Sequence, residues 1–157
     1  VCRYGGRMEG ARRMRIRALR RADIGRVMEL WLDANLKAHS FIPTAYWKSN
    51  FDAVKEMLPQ AEVYVYEDAG EIDAFVGLNG TYIEGIFVSS EMQSKGIGRR
   101  LLDFVKTKRT ELCLNVYQKN TRAIDFYQRE GFKIRCEGLD ESTGEKDYEM
   151  VWSGGQS

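Results

Sequence analysis

Gln93-Ser94-Lys95-Gly96-Ile97-Gly98-Arg99-Arg100 decides the fold, because of what stands on either side of it. Upstream, Ile83-Glu84-Gly85-Ile86-Phe87-Val88 is a short apolar, β-branched and aromatic run that reads as a buried strand. Downstream, Leu101-Leu102-Asp103-Phe104-Val105-Lys106-Thr107-Lys108 carries apolar residues at helical spacing and cations toward its end. The glycines therefore fall between a strand and a helix start, where free N–H groups and the positive end of the helix dipole converge. Glycine also removes the Cβ that would hold a bulky anion off the backbone. That is a recipe for gripping a pyrophosphate. Taken alone, the stretch is equally a tight strand-to-helix turn. It is neither a P-loop, which needs Gly-Lys-Ser/Thr, nor a dinucleotide fingerprint, which needs Gly-x-Gly-x-x-Gly.

A second stretch narrows the reading. In Leu112-Cys113-Leu114-Asn115-Val116-Tyr117 the apolar positions alternate, as on a strand with Asn115 and Tyr117 on one face. Asn120 suits an N-cap and Gly131 the C′ position of a helix between them. On that helix Asn120, Ile124 and Tyr127 share a face. A tyrosine hydroxyl and an asparagine amide then point the same way beside the end of a strand.

The two motifs, Gln-x-x-Gly-x-Gly after a strand and Asn-x-x-Ala-x-x-Phe-Tyr-x-x-x-Gly-Phe from Asn120 to Phe132, resemble the GCN5-related N-acetyltransferase (GNAT) family. The resemblance covers residues 14 to 153. Glu29-Leu30-Trp31-Leu32 and Ala38-His39-Ser40-Phe41-Ile42 are similar to a bacterial subgroup that includes protein-lysine acetyltransferases. The family implies an α/β fold with a mixed sheet of seven strands, helices on both faces, and a cofactor cleft where strands four and five splay apart. It also implies acetyl transfer from acetyl-CoA to a primary amine in a ternary complex.

Composition sets the limits. A chain of 157 residues is one domain by length. A formal net charge of +1 gives no global electrostatic case for nucleic acid or an acidic substrate. There is no apolar run of membrane-spanning length and no signal-peptide core, so a cytoplasmic location is expected. Cys2, Cys113 and Cys136 are widely spaced and read as reduced thiols, and a lone histidine without clustered ligands argues against a metal. Residues 1–13, with Arg3, Arg7, Arg12 and Arg13 among three glycines, read as a flexible extension; the domain is expected over 14–153, with a short tail over 154–157.

Periodicity supplies the rest of the order. Met14 to Leu19 alternates as a first strand, and Asp23 is placed to cap a helix bearing Val27, Met28 and Trp31. A break around Lys37 to Pro43 precedes a second helix through Trp47, Phe51, Val54 and Leu58. Val63 to Tyr66 and Ile72 to Leu78 are strands, and Asn79-Gly80 signals a hairpin. Phe132 to Glu137 and Tyr148 to Trp152 form a final pair joined by a polar loop. A mixed sheet between helices accommodates this order.

The chemistry needs few specialised groups, because a thioester is already activated. The diphosphate is expected on the N–H groups from about Lys95 to Arg100, within the Gln93, Ser94, Lys95, Gly96, Ile97, Gly98, Arg99, Arg100 loop. The resemblance places the pantetheine arm against the main chain of Ile86, Phe87 and Val88, with the Val88 N–H donating to the thioester carbonyl. It makes Tyr127 the candidate general acid toward the departing thiolate, and Asn115 and Asn120 candidates to bond the pantetheine amide or that thiolate. For deprotonating the amine, Glu84, which strand alternation puts on one face with Ile86 and Val88, His39 or a water chain remain open. The acceptor is a small-molecule amine, a protein lysine or an N-terminus, with specificity expected in Asn35 to Trp47 and Leu139 to Asp147. Monomer and homodimer both fit. A non-catalytic acetyl-CoA sensor of the same fold is the alternative, and a nucleic-acid binder using Arg3 to Arg21 a remote one.

Overall fold

The computed structural model describes residues 14–154; the arginine-rich stretch over 1–13 lies outside the described residues. Seven strands form one sheet in the order β1-β2-β3-β4-β5-β7-β6. Strand β1 is Arg15–Ala18, β2 is Glu62–Asp68, β3 is Glu71–Asn79 and β4 is Tyr82–Val88. Strand β5 is Glu111–Tyr117, β6 is Lys133–Asp140 and β7 is Glu145–Ser153. Helices α1 (Ile24–Ala38) and α2 (Thr44–Met57) follow β1; α3 (Ile97–Lys106) and α4 (Thr121–Arg129) flank β5.

Two apolar layers result, one on each face. Val27, Met28, Leu30 and Trp31 of α1 and Trp47 of α2 pack on Val63, Val65 and Phe75. On the other face Ile97, Leu101, Leu102 and Val105 of α3, with Ile124 and Tyr127 of α4, pack on Val76, Leu78, Leu112, Leu114 and Met150. The alternation of β2 is visible in this division: Val63 and Val65 join one cluster, and Tyr64 and Tyr66 pack against the other. Each apolar side chain so buried contributes about 1.5–3 kcal/mol.

Strands β1 to β4 are antiparallel throughout. Strand β4 meets β5 in parallel, and the two pair at Tyr82 and Cys113. Beyond that pair they part. The Cys113 N–H donates to Thr81 O at 3.0 Å and closes the bottom of the split. One half of the sheet thus carries α1 and α2, the other begins at β5, and a cleft runs between them.

Three local outcomes differ from the sequence expectations. Asp23 does not cap α1; its carboxylate accepts from the Arg20 N–H at 2.7 Å and from Arg17 Nη1 at 2.7 Å. A nearby guanidinium outcompetes exposed helix amides for the charge. Strands β6 and β7 run longer than the apolar pattern, so the expected acceptor loop from Leu139 to Asp147 contracts to a turn, in which the Gly144 N–H donates to Asp140 O at 2.7 Å. Finally, a bulge interrupts β4. Gly77 pairs with Gly85 but Leu78 with Ile83, leaving Glu84 as the extra residue. Ile83, rather than Glu84, therefore shares a core cluster with Ile86 and Val88.

Candidate active site

The orientation of the β4 main chain follows from the ladder. The Ser89 N–H donates to Asp73 O at 2.8 Å, which makes 73 and 89 a hydrogen-bonded pair. In an antiparallel ladder such pairs alternate, so Phe75/Phe87 is the next one, and Ala74/Val88 and Val76/Ile86 lie between. The N–H and C=O groups of Ile86 and Val88 therefore turn away from β3 and into the split. Those of Phe87 are committed to β3, and its ring stacks on Phe75 with centroids 4.8 Å apart. Of the three residues singled out in this strand, two present main chain to the cleft.

The glycine loop lies at the end of this strand, and Gln93 Nε2 donates back to Val88 O at 3.4 Å. Ser94 and Gly96 both take left-handed backbone, with φ of 65° and 80°. A Cβ on Gly96 would meet nothing within 4 Å, so the backbone there faces open space. The first helical bond of α3 runs from the Arg100 N–H to Gly96 O at 3.1 Å. The amides of Ile97, Gly98 and Arg99 precede it, while that of Arg100 is already used. The Ile97 side chain is buried and pins the helix start to the core. Gly98 differs: a Cβ there would lie 3.5 Å from the Phe126 ring and 3.9 Å from Ile86, ordinary contact distances, so a methyl would fit while a long side chain would press on α4 and β4. These features form a cradle of donors suited to a diphosphate.

The cations are distributed unexpectedly. Arg99 Nε leans toward Asp103 of its own helix and Glu130 at the end of α4, at 3.9 and 3.7 Å. Arg122, at the start of α4, instead reaches Ser94 Oγ at 3.1 Å and brings a guanidinium over the loop. Sequence reasoning missed Arg122, although it sits inside the second motif.

Asn120 caps α4 as its sequence position implies, with Oδ1 accepting from the Ala123 N–H at 3.2 Å. Gly131 has φ of 95°, and the Phe132 N–H reaches back to Tyr127 O at 2.9 Å, ending the helix. Tyr127 is 7% exposed, edge-on to Phe126 and Phe132. Burial raises its pKa well above the ordinary phenol value, with a smaller contribution from Tyr82. The phenol therefore holds its proton at neutral pH.

Glu84 is exposed at the bulge, near enough to Tyr82 for its charge to help raise that phenol, after the larger effect of burial. Asn115 Oδ1 accepts from the Tyr82 hydroxyl at 3.1 Å across the seam. Tyr82 is a second polar group that sequence reading treated only as an aromatic. Asp147 has a raised pKa, from burial and then from Asp140.

His39 is not presented as a free base. Asn120 Nδ2 donates to its Nε2 at 3.2 Å, and its Nδ1 stands 3.1 Å from Asn35 Oδ1. The tautomer follows. Asn120 Oδ1 is taken by Ala123, so Asn120 offers its NH₂ and Nε2 must accept. The Asn35 Nδ2 is taken by Trp31 O at 2.9 Å, so Nδ1 carries the hydrogen and donates to Asn35 Oδ1. Burial lowers the His39 pKa to about 4. Trp47 stacks on the ring at 5.4 Å, and Tyr117 meets it edge-on at 5.0 Å.

Known proteins match this arrangement. Residues 59–134 match the acetyltransferase (GNAT) domain family. The chain is 35% identical over 130 residues to peptidyl-lysine N-acetyltransferase YiaC of Escherichia coli, covering 81% of this chain and 89% of that protein. The solution structure of apo-form YjaB from Escherichia coli superposes with a TM-score of 0.80 at 24% identity, covering 90% of this chain and 98% of that one. The PaiA N-acetyltransferase of Thermoplasma acidophilum in complex with coenzyme A superposes with a TM-score of 0.75 at 19% identity, covering 89% and 98%. A split seven-stranded sheet with a glycine loop at its opening, joined to 35% identity over most of such a relative, leads to one conclusion: the chain belongs to the GNAT family and is an N-acetyltransferase.

Proposed function

We propose that the chain transfers the acetyl group of acetyl-CoA to the ε-amine of a lysine in a protein or peptide. The observation that carries the reading is the pair of main-chain groups, at Ile86 and Val88, turned into a split whose end is the glycine cradle. Lysine as acceptor is supported by the identity to a peptidyl-lysine N-acetyltransferase. Acetyl-CoA as donor is supported by the cradle and by the coenzyme A complex of a neighbour in fold.

Bound acetyl-CoA would supply an activated thioester carbonyl. The N–H groups from Lys95 to Arg99 receive the diphosphate, with Lys95 and Arg122 adding positive charge. The main chain of Ile86 and Val88 aligns the pantetheine arm by extending the β4 ladder. As the lysine nitrogen bonds to the carbonyl carbon, negative charge grows on the oxygen and the Val88 N–H stabilises it. Glu84, exposed at the bulge, takes the proton of the incoming ammonium directly or through water. The carbon–sulfur bond then breaks as Tyr127 donates its hydroxyl hydrogen to the departing sulfur, and the second proton of the former lysine nitrogen, lost as the amide forms, restores the phenol; the products are acetyl-lysine and the free thiol. The phenol is protonated at neutral pH and stands there as a donor. Asn115, held by Tyr82, lines the same seam.

A direct test incubates the protein with acetyl-CoA and a lysine peptide whose N-terminus is blocked, beside a polyamine and an aminoglycoside. Mass spectrometry is expected to find acetyl-lysine in the peptide. Thiol release with the small amines alone would remove the lysine reading and leave acetyl transfer standing.

A further inference from the structure

The geometry points to His39 and Asn120 as a clasp across the split sheet, a pair of positioning residues that sets the spacing between the half bearing α1, α2 and β4 and the half bearing β5, α4 and the proposed acid Tyr127. The inference rests on the β4–β5 split as the place of reaction.

Four contacts of the imidazole define the clasp. On the first half of the molecule, His39 ends α1, donates to Asn35 of the same helix and stacks on Trp47 of α2. On the second half it accepts from Asn120, the cap of α4, and meets Tyr117 at the end of β5. These two halves share backbone pairing only at Tyr82 and Cys113 among the described residues. Past that point no β4–β5 ladder holds them together; the core under α3 joins them on one face of the sheet, and the other face needs its own restraint on the width of the split. His39 reaches across where the ladder is missing.

The clasp is rigid because both of its ends are backbone-anchored. Trp31 O fixes the Asn35 amide, and the Ala123 N–H fixes the Asn120 amide. The result is one directional chain: Ala123 N–H to Asn120, Asn120 to His39, His39 to Asn35, Asn35 to Trp31 O. Every donor has one acceptor, so the imidazole cannot turn over without breaking two bonds. Aromatic rings from α2, the α1–α2 connection and β5 enclose it. Asn120 begins the helix that carries Tyr127, and His39 begins the connection to α2. A shift at the clasp therefore moves the proposed acid relative to the half bearing α1, α2 and β4. Misplacement of reacting groups by about 1 Å costs roughly a hundredfold in rate.

The experiment has one arm without activity and one with it. His39 is the only histidine of the chain, so the Cε1–H and Cδ2–H resonances of a single imidazole report it without overlap in NMR. In Asn120→Asp the carboxylate still caps α4 but faces Nε2 as an acceptor, so the imidazole is expected to protonate far more readily, with a midpoint raised above about 6.5. A midpoint left near the wild-type value would show that the two residues do not touch in solution and would overturn the clasp. In the second arm, His39→Leu is expected to lower kcat by roughly tenfold to a hundredfold, with coenzyme A affinity unchanged because the cradle belongs to α3. His39→Gln places an acceptor oxygen near the Nε2 position and is expected to recover part of that loss. Equal loss in both variants, or a loss entirely in coenzyme A affinity, would overturn the positioning role. Failure of lysine peptides as acceptors would leave the NMR arm untouched.

Discussion

The Tyr82 hydroxyl donates to Asn115 Oδ1 at 3.1 Å, fastening β4 to β5 beside the one residue pair that the two strands share. Main-chain pairing, Tyr82 and Asn115 together form the hinge of the split, and the opening lies beyond them. Tyr82→Phe keeps the ring and removes this bond. Because Tyr82 is half-buried and Asn115 exposed, the loss in stability is expected to be about 0.5–1 kcal/mol, read from the urea midpoint. Turnover is expected to fall less than tenfold, since Asn115 then loses its orientation but not its place. A fall as large as that of a catalytic residue would give Tyr82 a direct part in the reaction.

Arg122 and Arg99 make opposite predictions for cofactor affinity. Arg122 stands over the loop at Ser94, whereas Arg99 is drawn toward Asp103 and Glu130. A charge-assisted hydrogen bond is worth about 1.5–3 kcal/mol, so Arg122→Gln is expected to weaken coenzyme A binding by roughly tenfold or more. Arg99→Gln is expected to change it little. The rise in thermal midpoint with coenzyme A measures both. Gly98→Leu is expected to lower stability without ligand, because its side chain would enter the contact with Phe126 and Ile86.

Much of this architecture is legible in sequence, and the exceptions have a common cause. The order of elements, the Asn120 cap and the Gly131 stop follow from local chemistry, since each is decided within a few residues. Asp23 misled because the guanidinium that captures it belongs to β1, not to its own helix. Glu84 misled because strict alternation assumes an unbroken ladder, and a bulge has no distinctive residue here. His39 and Asn120 are 81 residues apart, and nothing local to either announces the other. Only the Asn35–His39 half of that chain, at helical spacing, was readable in advance.

Stability should fall with acid in a window set by His39. Its folded pKa is about 4 against an ordinary 6.5. The unfolded chain therefore binds a proton first as pH drops, and the folded state loses ground from about 6.5 down to about 4. The expected loss is about 2 kcal/mol between pH 7.5 and pH 5, and about 3 kcal/mol if carried to pH 4. Carboxylates held low by cations, Asp23 and Glu67 among them, add their losses only below their unfolded values, near pH 4. Urea unfolding of wild type and His39→Gln at the two higher pH values separates the effects: the variant should show nearly no slope there.

The anchor of β1 offers a test of the ion pairs. Arg17 bonds Asp23 and Glu67 at 2.7 Å each, with side chains 13%, 9% and 13% exposed. Arg17→Met leaves two nearly buried carboxylates without their cation, at an expected cost of about 3–5 kcal/mol. Arg15→Met, whose side chain is 53% exposed, removes a surface pair with the same Glu67 and is expected to cost under about 1 kcal/mol. Equal costs in chemical denaturation would mean that the inner pair is solvated.

Tyr127→Phe tests the proposed acid. The ring lies in the core beside Phe126 and Phe132, and the substitution preserves that packing, so the fold should survive with little loss. Removing the hydroxyl removes the donor to the departing sulfur, and kcat is expected to fall by roughly 10²–10⁴-fold. Coenzyme A affinity should change much less, because the cradle and the β4 main chain hold the cofactor. Glu84→Gln, measured beside it, should displace the pH–rate profile if that carboxylate accepts the amine proton, and leave its shape intact if water alone does so. A rescue with a better thiolate leaving group discriminates further. An acyl donor whose thiol is more acidic needs less help at sulfur, so Tyr127→Phe should lose less of its rate with that donor than with acetyl-CoA. An equal loss with both donors would assign the tyrosine to binding or packing and take it out of the bond-breaking step.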